Sequence, residues 1–232
     1  MLTVLRFTLE HKGLPYTTVW LELPDIAPTL RELNIAPSGK WPDGSPMYTL
    51  PAIVDPSTGA ALADSAAIAR YLDTAYPNTP RAFPAGTDTL IAAFQAAAES
   101  ALGPHAFYIG LPAMYARVHD VSKARFKAAR ESIVGGRMED WNPPGTPKAA
   151  QNWASLEAGF GKVAAWMDAG GEGRPFVMGD VPCYADFIVG ARLSWLKKAL
   201  GDESEEWLRV EQWHGGRWAR LLERMDTLGR RV

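Results

Sequence analysis

The chain has 232 residues, of which 47% are hydrophobic, and a formal net charge of −2 at pH 7. This length supports one large domain or two modest ones, with a core that needs no disulfides. The near-neutral charge, without a long run of Lys or Arg, argues against nucleic acid as a partner. The single cysteine, Cys183, excludes an intramolecular disulfide and fits a reducing compartment.

Targeting and metal signals are missing from the sequence. No apolar run approaches the roughly 18 residues of a membrane helix, and Arg6 and Glu10 interrupt the apolar residues at the start where a signal peptide would need them. The 4 histidines are scattered, without the spacing of a metal site. We therefore expect a soluble, cytoplasmic protein with no membrane partner and no metal.

The first elements of the chain alternate between helical and strand-like patterns. Leucines at helical spacing predict a helix from Met1 to His11. The β-branched, apolar segment Thr17–Leu23 predicts a strand, and Ile26–Leu33 a short helix. Pro, Gly and Ser in Pro37–Pro46 predict a loop. These patterns indicate an α/β half.

The next segment is predicted to be a strand, a turn, a second strand and a helix. Ile53-Val54 follows a proline, which lacks an amide hydrogen and favours the first position of a strand. A Pro-Ser-Thr-Gly turn leads to the strand Ala60–Ala63. Ser65 is predicted as the N-cap of the helix Ala66–Ala75, whose apolar residues form a stripe.

The same segment carries polar groups that suit a small zwitterionic peptide. If the Leu50-Pro51 bond is cis, the backbone of Leu50 turns outward and can pair with an extended ligand. The start of a helix attracts a carboxylate, and Asp64 can hold an ammonium group next to Ser65. The alternative is that the Asp-Ser pair only caps the helix.

The second half of the chain is predicted to be helical. A linker at 78–87, rich in Pro, follows Tyr76-Pro77, and Asp140–Pro147 is predicted to be a loop between helices. We expect a domain at 1–77 and an all-helical domain at 88–232. Apolar stripes at helical spacing support this division: Leu90, Ile91, Phe94, Ala98 and Leu102; Trp153, Leu156, Phe160, Val163 and Met167; Trp218, Leu221, Leu222, Met225 and Leu228.

Two motifs resemble the cytosolic glutathione transferases. Leu50–Pro77 is similar to the second half of their thioredoxin-like domain. Gly179–Asp186 resembles their helix-start motif, in which a Ser or Thr and an Asp cap each other. Cys183 stands at the cap position here, and a structural role is favoured over a reactive one. The resemblance implies an α/β plus all-α fold, with a thioredoxin-like domain before a helical bundle.

The finer resemblance is to the etherase-like glutathione transferases of fungi and bacteria. It implies glutathione as co-substrate, small aromatic electrophiles as second substrates, detoxification as a role, and a homodimer. The motifs that carry it are Lys12–Tyr16, Pro24–Ile26, Pro42–Pro46 with Tyr48–Pro51, and Asp55–Thr58.

One part of the family pattern has no counterpart in the sequence. Family members have a first strand and a catalytic Ser, Tyr or Cys before the helix that ends at the Lys12–Tyr16 turn. Here no such residue occurs before Tyr16, and Thr3 is the only hydroxyl near the place. We expect the central strand to be missing, because the sequence lacks its natural N-terminal segment or because the chain is degenerate. The intact motifs favour the former.

The resemblance assigns residues to two parts of a site, while the catalytic residue stays unknown. Lys40 is assigned to the glycyl carboxylate, although a loop lysine is more often simply solvated. The residues implied for glutathione are Lys40, Leu50, Pro51, Asp64 and Ser65; those for the second-substrate pocket are Phe107, Tyr108, Leu111, Met114 and Tyr115, near His105, most of them also expected in the core.

Three functions are compatible with these residues. The first is conjugation or reductive ether cleavage of aromatic compounds through the glutathione thiol, with weak activity. The second is a non-catalytic carrier of glutathione and aromatic ligands. The third, an assembly module, ranks last because the sequence has no extra domain or charged tail.

Overall fold

The computed structural model describes residues 2–228, so Met1, the predicted start of the first helix, lies outside the described residues. The N-terminal half combines helices with short strands, as expected of an α/β half, but the predicted loop Pro37–Pro46 contains the short strand Gly39–Lys40. Its elements are helix α1 (Leu2–Lys12), a 3₁₀ helix (Leu23–Asp25), helix α2 (Ile26–Glu32), strands β1 (Gly39–Lys40), β2 (Pro46–Met47), β3 (Ala52–Asp55) and β4 (Ala60–Ala63), and helix α3 (Ser65–Ala75).

The strands of the described residues form two antiparallel pairs. β1 pairs with β2, and β3 pairs with β4 so that Ala52 lies opposite Ala63. Helices α1 and α3 pack together through Leu5, Leu9 and Ile68, which are buried. Burial of these side chains, each contributing about 1.5–3 kcal/mol, fixes α3 against α1, and Ile53 of β3 and Leu62 of β4 pack against the same cluster.

The predicted strand at Thr17–Leu23 is wrong. Residues 14–22 have no regular secondary structure, and Val19 and Trp20 are each 76% exposed. A strand needs a neighbour for its backbone hydrogen bonds, and none of residues 2–228 pairs with this segment. The end of the segment is held instead by the helix Asp120–Val134, because the Ser122 hydroxyl accepts from the Leu23 amide at 3.1 Å.

The C-terminal half is helical, as predicted. The last helix departs from helical backbone angles at 213–216, where three consecutive residues have positive φ. Its elements are helices α4 (Asp88–Tyr115) and α5 (Asp120–Val134), a 3₁₀ helix (Met138–Asp140), and helices α6 (Pro147–Asp168), α7 (Tyr184–Leu200) and α8 (Glu205–Asp226).

The two halves meet where α1 packs against α7. Phe7 and Phe187 are fully buried, with ring centroids 6.5 Å apart. Gly190 permits the close approach of α7, because a Cβ there would lie 2.9 Å from Met225 and 3.2 Å from Phe7. A side chain at this position would force the helices apart.

A buried ion pair joins α1, α3 and the linker between the halves. The Lys12 ammonium donates to Asp73 at 2.8 Å, and both side chains are buried. The same carboxylate accepts from the amides of Ala82 and Phe83, at 2.9 and 2.8 Å. Lys12 also donates to the Pro80 carbonyl at 3.1 Å. Such a pair is stable only when every charge has partners, and this one has them.

The predicted capping box begins α7. The Asp186 carboxylate accepts from the amides of Cys183 and Val177, at 2.9 and 2.8 Å. Burial raises the pKa of Asp186 to about 6 and that of the Cys183 thiol to about 12. A thiol with that pKa is protonated at neutral pH, which agrees with the predicted structural role.

The predicted order of an α/β half followed by an all-helical half is confirmed. Helix α3 ends at Ala75 and α4 begins at Asp88, so the linker falls between them, while the exact boundaries of the domains stay a prediction. Across residues 2–228, none of the helices combines the length and apolar character needed to cross a membrane.

Candidate functional site

The predicted peptide-binding edge begins at Leu50 and Pro51. The bond between them is cis, and Pro51 is buried at the start of β3. The Pro51 carbonyl accepts from the Asp64 amide at 3.3 Å, which places Leu50 and Asp64 at the same edge of the β3–β4 pair. Within residues 2–228, the Leu50 amide and carbonyl have no hydrogen-bond partner, so both can pair with a ligand backbone.

Asp64, and not Ser65 as predicted, is the N-cap of α3. Its side chain accepts from the amides of Ala66 and Ala67, at 3.0 and 2.9 Å. The prediction placed the cap one residue late because Ser and Asp are equally good caps. Ser65 is instead the first residue of the helix.

The backbone of Asp64 is strained. Its φ is 79° and its ψ is 120°, a combination that costs a residue with a Cβ about 1–3 kcal/mol. The residue is exposed, and its second carboxylate oxygen accepts no hydrogen bond from the described residues. A strained residue that offers a carboxylate to solvent is typical of a ligand contact.

Ser65 lies at the boundary between the two halves of the molecule. Its hydroxyl is buried and accepts from the Tyr184 hydroxyl at 3.0 Å. Burial raises the pKa of Tyr184 to about 12, so this phenol donates at neutral pH. The Tyr184 ring stacks on Phe83 at 4.7 Å, with the Arg70 guanidinium on that ring. Among the described residues the Ser65 amide has no acceptor, so at the start of α3 its N–H can donate to a ligand.

An acidic residue that the sequence analysis missed stabilises the packing of β3 and α3, the two elements that form this edge. Asp55, at the end of β3, accepts from the hydroxyls of Tyr71 and Tyr76, at 2.5 and 2.7 Å. These hydrogen bonds, from Tyr71 first, lower the pKa of Asp55. They tie the middle of α3 and the residue that follows its end to β3. The sequence gives little signal for this contact, because Tyr76 lies just after the end of α3 and does not share a helix face with Tyr71.

Lys40 lies apart from the other assigned residues. It is exposed on β1, opposite Pro46 of β2. No hydrogen bond or ion pair within residues 2–228 joins it to Leu50, Asp64 or Ser65. Its assignment to the glycyl carboxylate stays a prediction.

The residues predicted for the second-substrate pocket lie in the second half of α4. Leu111 is buried, and the others are partly buried against a small cluster that includes Phe126 and Trp141. Phe107 packs edge-on against Trp195 of α7, with ring centroids 6.0 Å apart. The assigned residues in this cluster are Phe107, Tyr108, Leu111, Met114 and Tyr115. The expectation that most of them also serve as core agrees with this packing.

The small cluster and its neighbours on α5 also contact the end of the irregular segment at residues 14–22. Leu23 packs against the cluster, and Glu22 accepts from Ser122 at 2.6 Å and contacts His119 at 2.6 Å. The hydrogen bond from Ser122 is the main reason that the pKa of Glu22 is lowered. The aromatic cluster therefore borders both halves of the molecule.

Catalytic and metal-binding groups are sparse near the edge. Thr3 lies in the first turn of α1, and no hydrogen bond of the described residues links it to Asp64 or Ser65. Tyr16 is exposed, and its hydroxyl donates to Glu10 at 3.3 Å. In residues 2–228, no three His, Cys, Asp or Glu side chains are arranged to hold a metal ion.

Both halves of the chain match family models. The model described as "Glutathione S-transferase, N-terminal domain" matches residues 3–75, and the one described as "Glutathione S-transferase, C-terminal domain" matches residues 89–228. A curated relative, the glutathione S-transferase-like protein ustS of Aspergillus flavus, is 33% identical over 202 residues, which is 82% of this chain and 71% of the relative.

Solved structures of fungal proteins are similar over nearly the whole chain. The glutathione S-transferases CsGST83044 and CsGST63524 of Ceriporiopsis subvermispora, each crystallised with glutathione, are 42% and 44% identical, with TM-scores of 0.92 and 0.93. They cover 97% of this chain, which spans 90% and 89% of theirs. GSTFuA3 of Phanerochaete chrysosporium is 35% identical, with a TM-score of 0.90 and coverage of 97% and 88%.

Proposed function

The chain belongs to the glutathione S-transferase family, and from that membership we propose that it binds glutathione at the edge formed by Leu50, Asp64 and Ser65. The observation that carries the proposal is that three polar groups at this edge have no partner among the described residues: the Leu50 backbone, the second carboxylate oxygen of Asp64 and the Ser65 amide. Similar proteins crystallised with glutathione support it.

Each group of the edge suits one part of the tripeptide. The Asp64 carboxylate binds the ammonium of the γ-glutamyl residue by a charge-assisted hydrogen bond. The carboxylate of the γ-glutamyl residue lies at the start of α3, where the Ser65 amide donates a hydrogen bond to it and the helix dipole favours a negative charge. The Leu50 amide and carbonyl pair with the cysteinyl backbone, as in the addition of one strand to another. Lys40 pairs with the glycyl carboxylate.

The second substrate is a small aromatic electrophile, held near the α4 cluster. Phe107, Tyr108 and Tyr115 are partly buried there and offer ring faces and edges for stacking. The thiolate sulfur of glutathione attacks an electrophilic carbon of this substrate, and a new carbon–sulfur bond forms as the leaving group departs with the bonding electrons. The thiol proton is lost to solvent before the attack.

The rate of that attack depends on how much thiolate is present. A thiol with a pKa near 8.5 is about 3% ionised at pH 7, and lowering the pKa by about 2 units takes roughly 2.7 kcal/mol of thiolate stabilisation. In serine-type relatives a hydroxyl supplies it. Residues 1–15 contain no Ser, Tyr or Cys that could supply it.

That observation favours a second candidate, a non-catalytic binding protein for glutathione and aromatic ligands. A conjugation assay with an aromatic electrophile separates the two functions. Turnover clearly above the uncatalysed rate supports the enzyme and overturns the carrier. The etherase-like subtype, detoxification and a homodimer belong to the same proposal and rest on the motifs shared with that subgroup. A cytoplasmic location belongs to it as well, since a single cysteine fits a reducing compartment.

Calorimetric titration with glutathione tests the binding site. Asp64→Asn keeps an oxygen that can cap α3 but removes the charge, so the dissociation constant is expected to rise about tenfold or more. Asp43→Asn is the matched control, because Asp43 is also an exposed carboxylate that accepts from a backbone amide two residues later, at 2.9 Å. Equal affinity of both variants and the parent protein would show that Asp64 serves only as a cap.

A further inference from the structure

Four arginines surround one small cavity in the helical half. Three of them, Arg217, Arg220 and Arg224, follow the kink of α8 at the spacing that puts side chains on one face of a helix. The fourth, Arg174, comes from the loop between α6 and α7. The cavity has a volume of about 80 Å³, and Gly173 and Pro175 complete its lining.

Hydrogen bonds hold two of these guanidinium groups in place. Arg217 donates to the Ala164 carbonyl at 3.0 Å and to the Asp168 carboxylate. Arg220 donates to the Gly215 carbonyl at 2.8 Å. Arg174 lies near Gly170, where a Cβ would come within 2.6 Å of its guanidinium. Arg217 and Arg220 are therefore positioned before any ligand arrives.

Most of the positive charge in this cluster is uncompensated. Among the described residues, Asp168 is the carboxylate that forms an ion pair with the cluster, and it contacts Arg217 alone. Arg224 forms no hydrogen bond or ion pair through its side chain within residues 2–228. Each guanidinium carries five donors, so many remain unused. Like charges gathered in one place repel one another, and an anion in the cavity would remove that repulsion.

We infer that the cavity formed by Arg174, Arg217, Arg220 and Arg224 binds a phosphate-type oxyanion, as free phosphate or as the head group of a phosphate monoester. Arginine forks match the geometry of phosphate oxygens and can bind them in pairs. The cavity exceeds the roughly 30 Å³ of a single water and suits a group of a few heavy atoms. None of its lining residues belongs to the edge at Leu50, Asp64 and Ser65, so this site is separate from the proposed glutathione site.

Calorimetric titration with inorganic phosphate at pH 7 tests the inference, with potassium chloride keeping the ionic strength constant. Saturable binding is expected for the parent protein, and Arg220→Gln and Arg224→Gln should each weaken it about tenfold or more. Arg125→Gln is the matched control, because Arg125 is an exposed helical arginine on α5. Its affinity for phosphate should equal that of the parent protein.

Two outcomes would overturn the inference. One is the absence of any binding heat beyond that of the chloride blank; the other is the same affinity for phosphate in all three variants. Melting curves without phosphate show whether each variant folds, and Arg224→Gln carries the test if Arg220→Gln melts early. Titration with phenyl phosphate then identifies the source of the group, because tighter binding than free phosphate indicates a monoester and equal or weaker binding indicates the free ion.

Discussion

Asp64→Gly is expected to stabilise the protein while weakening its binding of glutathione. The native φ of 79° and ψ of 120° cost about 1–3 kcal/mol in a residue with a Cβ, and glycine adopts such angles freely. Against this gain, loss of the Asp cap to Gly costs a few tenths of a kcal/mol, and the extra freedom of glycine in the unfolded chain costs about 0.5–1 kcal/mol. The net change lies between about zero and a gain of about 2 kcal/mol.

Asp64→Ala provides the comparison that isolates strain. Alanine loses the cap, at about 1 kcal/mol, and keeps a Cβ in the strained conformation, so it should be less stable than both the parent and the glycine variant. Urea denaturation followed by tryptophan fluorescence measures all three proteins, with equal slopes required for comparison. A glycine variant less stable than the alanine variant would refute the reasoning from strain.

The same variants separate binding from stability. Both remove the carboxylate that we propose contacts the ligand ammonium, so both should lose about tenfold or more in affinity despite their opposite changes in stability. Glutathione affinity of the glycine variant equal to that of the parent would refute the functional role of Asp64, whatever its effect on folding.

Two buried carboxylates give further predictions. Asp73→Ala should lower the free energy of unfolding by about 3–5 kcal/mol, because it leaves the Lys12 ammonium buried without its partner; a loss below about 1 kcal/mol in urea denaturation would contradict this. For Asp186, burial raises the folded pKa to about 6, above the roughly 3.9 of an unfolded Asp, so the folded state binds the proton more tightly. Its contribution to stability should therefore fall by up to about 3 kcal/mol between pH 4 and pH 6, and Asp186→Asn, which has no such proton to lose, should not show this part of the decline.

Local patterns were sufficient to predict most of the helices and the β3–β4 pair. The helix at α3 and the strand Ala60–Ala63 depend on apolar spacing and caps, which lie within a few residues of each other. The predicted strand at Thr17–Leu23 failed because a strand depends on a partner elsewhere in the chain. The composition of a segment carries no information about its partner, and in the structure Val19 and Trp20 of this segment are exposed.

The candidate site likewise has a part that local sequence patterns predict and a part that depends on long-range contacts. Asp64 and Ser65 were found from sequence because a helix start is a local feature, although which of the two residues is the cap was decided by backbone angles that sequence does not display. The contact of Ser65 with Tyr184 joins residues 119 positions apart. Neither partner carries a local signal for it, so the role of the helical half in supporting the edge could only come from the structure.

Helix α3 is held near both ends by groups outside the helix, and this explains how a short helix can keep a strained residue at its start. At its beginning, Tyr184 donates to Ser65. Near its end, Asp73 binds Lys12 and two linker amides. Because isolated helices of this length are marginal in water, the strain at Asp64 is sustained by these anchors, and the geometry of the proposed glutathione edge depends on the docking of the two halves.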